Sequence, residues 1–170
     1  TDGGRWTKGT SHQESWQKRG KLLADFVRPG ERVFEFGAGN STVPDALPTS
    51  CSYVASDAAP LKANIMRLDL NAPALPQLLG YDVGFFSGVL EYVHDLSRLV
   101  AYLPQYFQSV VCSYAVRAGT SANEIARRRY SGWFNDLSEM EFSGLFQRAG
   151  YRVSRQGDWA GQMLFRWDRI

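Results

Sequence analysis

The sequence is poor in the residues that most often bring redox or metal chemistry, with only two cysteines and two histidines among its 170 residues. Cys51 and Cys112 lie far apart, each beside apolar residues in a β-prone run. That placement favours two small buried thiols in a reducing compartment over a disulfide framework or a thiolate metal motif. No metal is expected. No apolar run approaches the roughly 20 residues that span a bilayer, and no basic and apolar leader opens the chain, so a cytoplasmic protein without membrane contact is expected. One-sided charge is lacking too: the formal net charge is +2, too small for the basic face a nucleic-acid partner requires. Repeats and low-complexity linkers are missing. With 44% hydrophobic and 21% charged residues, the chain reads as a globular domain with one continuous core.

What the sequence does contain is an alternation of helical and strand periodicities. From His12 to Val27, Trp16, Leu22, Leu23, Phe26 and Val27 form a helical stripe that Pro29-Gly30 ends. A β-prone run from Arg32 to Phe36 opens into Gly37-Ala38-Gly39-Asn40-Ser41-Thr42, followed by a short helix toward Pro48 that carries Pro44. Strands fit Ser52 to Ser56 and Asn64 to Leu68, each followed by an acid, Asp57 and Asp69. Val83-Gly84-Phe85-Phe86 is apolar at consecutive positions, as in a strand buried on both faces, and runs into Ser87-Gly88. A helix from Asp95 to Tyr106, a strand from Ser109 to Ala115, a polar stretch with Arg127-Arg128-Arg129 and a helix from Ser138 to Ala149 follow. Two final strands, Tyr151 to Arg155 and Met163 to Trp167, flank a turn with Gly157 and Gly161 and must be antiparallel. The expected fold is α/β: a doubly wound, mostly parallel seven-stranded sheet with an antiparallel C-terminal hairpin strand. Residues 1–30 are expected to form a helical cover and 31–170 the domain itself.

In such a sheet ligands bind beyond the carboxyl ends of the strands, so the residues that follow each strand carry the argument. Here they are Glu35-Phe36-Gly37-Ala38-Gly39, Asp57, Asp69 and Ser87-Gly88. Each has a plain structural reading as a turn former or paired acid. Three acids at corresponding strand ends are harder to dismiss than one.

From Val33 to Trp167 this ordered set resembles the class I, Rossmann-like S-adenosylmethionine-dependent methyltransferases. The resemblance implies that Glu35, Gly37, Ala38 and Gly39 wrap the methionine portion of S-adenosylmethionine, with Glu35 toward its amino group. It implies that Asp57 binds the ribose diol, a pairing of two donors with an acceptor-only carboxylate. Asp69 would accept from the adenine amino group, Ala58 and Leu70 would flank the ring, and the stretch Phe86-Ser87-Gly88-Val89-Leu90-Glu91-Tyr92-Val93, which resembles the family's fourth-strand motif, would lie beneath the sulfonium and face the acceptor. Asp136-Leu137-Ser138 through Ala149-Gly150-Tyr151 resembles the family's last helix and its turn into the final hairpin.

The activity implied is methyl transfer to a small-molecule acceptor, at oxygen. Ser87-Gly88-Val89-Leu90 stands where methyltransferases of nucleobase amino groups carry an Asn/Asp-Pro-Pro-aromatic run, which argues against a nucleic-acid substrate. Tyr92 and His94 follow the fourth strand, and His94 is the candidate base for an acceptor hydroxyl; its other reading, a surface residue at a helix start beside Asp95, is the commoner one. His12 is a weaker candidate. Arg127-Arg128-Arg129 reads as a solvated face. Trp6, Trp16, Tyr130, Trp133 and Phe134 could line an acceptor pocket, with core or lid packing the more usual role. Two alternatives are a non-catalytic cofactor-binding domain and a nicotinamide-dependent dehydrogenase, whose third glycine would fall at Thr42.

Overall fold

The computed structural model describes residues 13–119 and 121–170. Trp6 and His12 lie outside the described residues. Seven strands form one sheet in the order β3-β2-β1-β4-β5-β7-β6, with β1 Arg32–Phe36, β2 Ser52–Asp57, β3 Met66–Arg67, β4 Val83–Phe86, β5 Ser109–Tyr114, β6 Tyr151–Trp159 and β7 Gln162–Arg169. Strands β1 to β5 are parallel, and β7 runs antiparallel to both β5 and β6. The seven-stranded, doubly wound arrangement expected from the sequence is therefore present. Chain order reverses between β1 and β4, which opens a crevice at their carboxyl ends.

Successive side chains of a strand point to opposite faces. In β1, Phe34 and Phe36 join the larger core with Phe86, Phe107, Phe142, Phe146 and Trp167. Val33 faces the other way, into a smaller core with Leu23, Phe26, Val83, Phe85 and Val111. Helices α2 (Leu96–Tyr102) and α4 (Glu139–Arg148) bury residues in the larger core, whereas α1 (Gln13–Ala24) covers the smaller one. A capping box starts α4: Ser138 Oγ accepts from the Glu141 amide, and Glu141 Oε2 accepts from the Ser138 amide at 2.8 Å.

Five expectations need revision. The helix expected between Asn40 and Pro48 is only a 3-10 turn over Val43–Ala46, because Leu47, which precedes Pro48, is extended and ends the element before an α-helix can propagate. The third strand pairs over just two residues, since its parallel register with β2 ends at Asp57. The polar stretch after β5 contains a helix, α3 (Ala122–Tyr130), whose first turn is capped by Ser121 Oγ accepting from Glu124 N. Its arginines are not uniformly solvated: Arg128 is buried, and its Nη2 donates to the Ala115 carbonyl at 2.6 Å. Cys112 is buried in β5, but Cys51 precedes β2 and is only partly buried, and neither is disulfide-bonded.

Candidate functional site

A cavity of about 290 Å³ opens at the reversal of strand order. Its floor begins at the turn after β1. Gly37 takes φ +66°, and a Cβ there would meet Val89 Cγ2 at 2.6 Å, so both conformation and space require glycine. The turn is tied to β2: the Ala38 amide donates to the Ser56 carbonyl at 2.9 Å, and the Gly39 amide donates to Asp57 Oδ2 at 2.8 Å. Asp57 Oδ1 accepts from Ala59 N at 2.8 Å. A carboxylate offers about four lone-pair sites, so these two bonds fix its orientation and leave acceptor capacity for a ligand.

Because Glu35 alternates with Phe34 and Phe36, its side chain lies on the α1 face of the sheet. It is 1% exposed and accepts a hydrogen bond from the Tyr53 hydroxyl. Burial pushes its carboxyl up to about 7, against hydrogen bonds from Tyr53 and Ser41 that favour the charged form. At the end of β3, Asp69 Oδ1 accepts from Asn71 N at 2.9 Å. Asn71 then bridges to the loop after β4, donating to the Tyr92 carbonyl at 3.2 Å and accepting from His94 N at 2.8 Å.

Helix α1 contributes a buried cation. Arg19 Nε donates to Ser87 Oγ and its Nη2 to the Ser87 carbonyl, both at 3.1 Å, while Nη1 donates to Gln162 at 3.2 Å. Burial lowers its pKa, and Glu91, Tyr92 and Glu35 oppose that shift. The guanidinium lies directly over Gly88, where φ is +67° and a Cβ would come within 2.2 Å of Nη2. Ser87-Gly88 is thus the seat for Arg19 as well as a turn.

The structure brings Glu35, Gly37, Ala38, Gly39, Asp57, Ala58, Asp69, Leu70, Ser87 and Gly88 into the lining of this one cavity. His94 is not among the lining residues: it is exposed, and its ring packs against Phe134 at 4.0 Å between centroids. The structure thus does not bring His94 together with the other candidate site residues, and a base must reach the reacting proton. Trp16 and Trp133 line the cavity, whereas Tyr130 is exposed.

No protein-family model matches the chain, and no curated protein matches it in sequence. Solved structures do match it. The mitomycin 7-O-methyltransferase MmcR superposes with TM-score 0.69 at 14% identity over 92% of this chain and 54% of that one, so the chain spans about half its length. The 1,6-didemethyltoxoflavin-N1-methyltransferase of Burkholderia thailandensis, solved with 1,6-didemethyltoxoflavin and S-adenosylhomocysteine, gives TM-score 0.68 at 13% identity over 98% of this chain and 82% of that one. The N-methyltransferase NodS of Bradyrhizobium japonicum WM9, solved with S-adenosyl-L-homocysteine, gives TM-score 0.64 at 13% identity over 99% and 93%. The fold is that of the class I methyltransferases.

Among the described residues, no helix of this methyltransferase fold is long and apolar enough to cross a membrane, and no cluster of metal-ligating side chains is present. Reading the sequence missed Arg19 and Asn71, and met Glu91 only as one position of the stretch from Phe86 to Val93, with no role of its own. Two of these carried a signal. Arg19 falls three residues after Trp16 and four before Leu23, on the apolar stripe of α1, and Glu91 interrupts the apolar run from Val89 to Val93. Asn71 carried none, because its value lies in joining two loops that are distant in sequence.

Proposed function

We propose that the chain is an S-adenosylmethionine-dependent methyltransferase acting on a small-molecule acceptor at oxygen. The observation that supports this best is the convergence of Glu35, Asp57, Asp69 and Arg19 on one cavity at the switch point of the sheet. The donor set fits the group's chemistry. Glu35 would hold the amino group of the methionine portion, and Arg19 its carboxylate, a buried cation being well matched to an anion. Thr42 Oγ1, which is buried on the cavity wall with no hydrogen-bond partner among the described residues, is available to the same carboxylate. Asp57 would bind the ribose hydroxyls and Asp69 the adenine amino group, with Ala58 and Leu70 against the ring and Ser87 and Gly88 beneath the sulfur.

When bound, S-adenosylmethionine supplies a methyl group on a positively charged sulfur. The chain's own contribution is then to hold the acceptor atom near attack distance, roughly 3–3.5 Å, and to keep water away. Residues 13–30 contribute the cover in this reading, with 31–170 as the domain it covers and residues 1–12 outside the described ones, and the two unpaired thiols suit a cytoplasmic setting. The neighbours include both an O-methyltransferase and N-methyltransferases. Calorimetry with S-adenosylhomocysteine and NADH tests the proposal: the first is expected to bind and the second not, and the reverse would replace it with a nicotinamide-dependent enzyme.

A further inference from the structure

The cavity holds one carboxyl group that the cofactor contacts do not use. Glu91 lies in a 3-10 turn over Leu90–Tyr92, is 1% exposed and lines the cavity. Its Oε1 accepts from the Ala115 amide at 2.8 Å, whereas Oε2 is buried with no hydrogen-bond partner among the described residues. Buried polar atoms in native proteins are nearly always paired, so an orphan acceptor on a residue that lines a cavity points to a donor brought by a ligand.

The charged and titratable groups around Glu91 come from several elements. Arg19 reaches it electrostatically from α1 and Arg128 from α3, while Cys112 and Tyr114 face it from β5. Both arginines have other bonds: Arg128 Nη2 to the Ala115 carbonyl, Arg19 to Ser87 and Gln162. They oppose the effect of burial, which pushes the Glu91 carboxyl above the usual carboxylate range, without occupying Oε2. Beside it, Trp133 and Tyr92 line the same cavity, and the Arg128 guanidinium braces the Trp133 ring at 4.8 Å from its centroid. A flat apolar wall next to a single unpaired acceptor suits a planar molecule with one donor.

We propose that Glu91 recognises the methyl acceptor and takes its proton, selecting an aromatic hydroxyl that donates to Oε2 while its ring lies against Trp133. This role rests on the methyltransferase reading above. As the hydroxyl oxygen gains its methyl group, the O–H bond breaks, its proton bonds to Oε2, and its electron pair stays on oxygen, leaving a neutral ether. The donor departs as an uncharged thioether with the pair of its broken S–C bond. A carboxyl with a raised pKa is better matched to a phenolic proton than an ordinary one.

The test titrates 4-cresol and its methyl ether, 4-methylanisole, into protein saturated with S-adenosylhomocysteine at about pH 8, where an ordinary phenol stays protonated. Wild type is expected to bind the phenol at least about tenfold more tightly than the ether, because a site built to accept a hydroxyl donor rejects the analogue lacking it. Glu91→Gln keeps the Ala115 bond through its amide oxygen, so it should retain S-adenosylhomocysteine affinity and lose the preference. Trp133→Leu should weaken both probes together and leave the preference intact. Equal affinity of wild type for the two probes, no binding of the phenol, or a preference that survives in Glu91→Gln would overturn the role of Glu91. The wild-type comparison decides the matter alone if Glu91→Gln does not fold. Failure of wild type to bind S-adenosylhomocysteine would overturn the methyltransferase reading first, and the role of Glu91 with it.

Discussion

At the scale of single residues, Glu35 is where binding and stability oppose each other. Its carboxyl sits at about 7 in the folded chain, against an ordinary value of 4.5. The folded state therefore binds this proton more tightly than the unfolded state, so the contribution of Glu35 to stability is greatest below the ordinary value and falls as pH rises toward 7. The loss is on the order of 3 kcal/mol. Glu35→Gln should raise the melting temperature at pH 8 by several degrees while leaving it nearly unchanged at pH 4. An ammonium group beside Glu35 favours the ionised form, so S-adenosylhomocysteine affinity should weaken as pH falls below 7, by at most about tenfold per unit. In Glu35→Gln, affinity should be lower and this pH dependence absent; a flat wild-type profile measured by calorimetry would remove Glu35 from the site. His94 serves as the contrast. Its ring packs outside the cavity, so His94→Ala should keep both turnover and cofactor affinity within about twofold of wild type.

At the scale of elements, Arg19 and Gly88 make the junction between α1 and the end of β4. Gly88→Ala would place a methyl group 2.2 Å from the guanidinium at a positive φ, so Arg19 must be displaced. A loss of roughly 2 kcal/mol in stability is expected, together with increased amide exchange in α1. Arg19→Ala removes the obstruction, and the double variant should be less destabilised than the sum of the two single ones. Strictly additive losses in a thermal-melt cycle would show that the two residues do not share this contact. The same elements show what the sequence could reveal. The ends of β1, β2 and β4 were legible because a glycine turn or an acid closes each β-prone run. Helix α3 was missed because Arg127, Arg128 and Arg129 dominated the reading of that stretch, although Ser121 three residues before Glu124 is a start signal. The buried position of Arg128 was not legible, since it depends on the carbonyl of Ala115 in the following loop of the sheet.

At the scale of the whole molecule, the reversal of chain order between β1 and β4 sets the site, and the two cores set its rigidity. The fold class and the sheet-edge acids could be read because they follow from local pattern repeated along the chain. The closure of the site could not, because it needs α1, β1, β4 and β7 together: Arg19 bonds to Gln162 of the final hairpin, and Arg166 of β7 pairs with Glu31 at 2.6 Å and with the Phe26 carbonyl at 2.8 Å. A ligand that fills the cavity contacts nearly every one of these elements, so its binding energy should appear in global unfolding rather than in one loop. At a free concentration of about 100 times the dissociation constant, one ligand stabilises by about 2.7 kcal/mol. For a chain of this size that corresponds to a rise in melting temperature of roughly 5–10 °C. S-adenosylhomocysteine should produce such a rise and NADH none. With Asp57→Asn, which weakens the acceptor for a ribose diol while keeping the Gly39 contact available, the rise should shrink at fixed ligand concentration. An undiminished rise in that variant would place the ribose elsewhere, and no rise in wild type would show that the cavity does not hold this nucleoside.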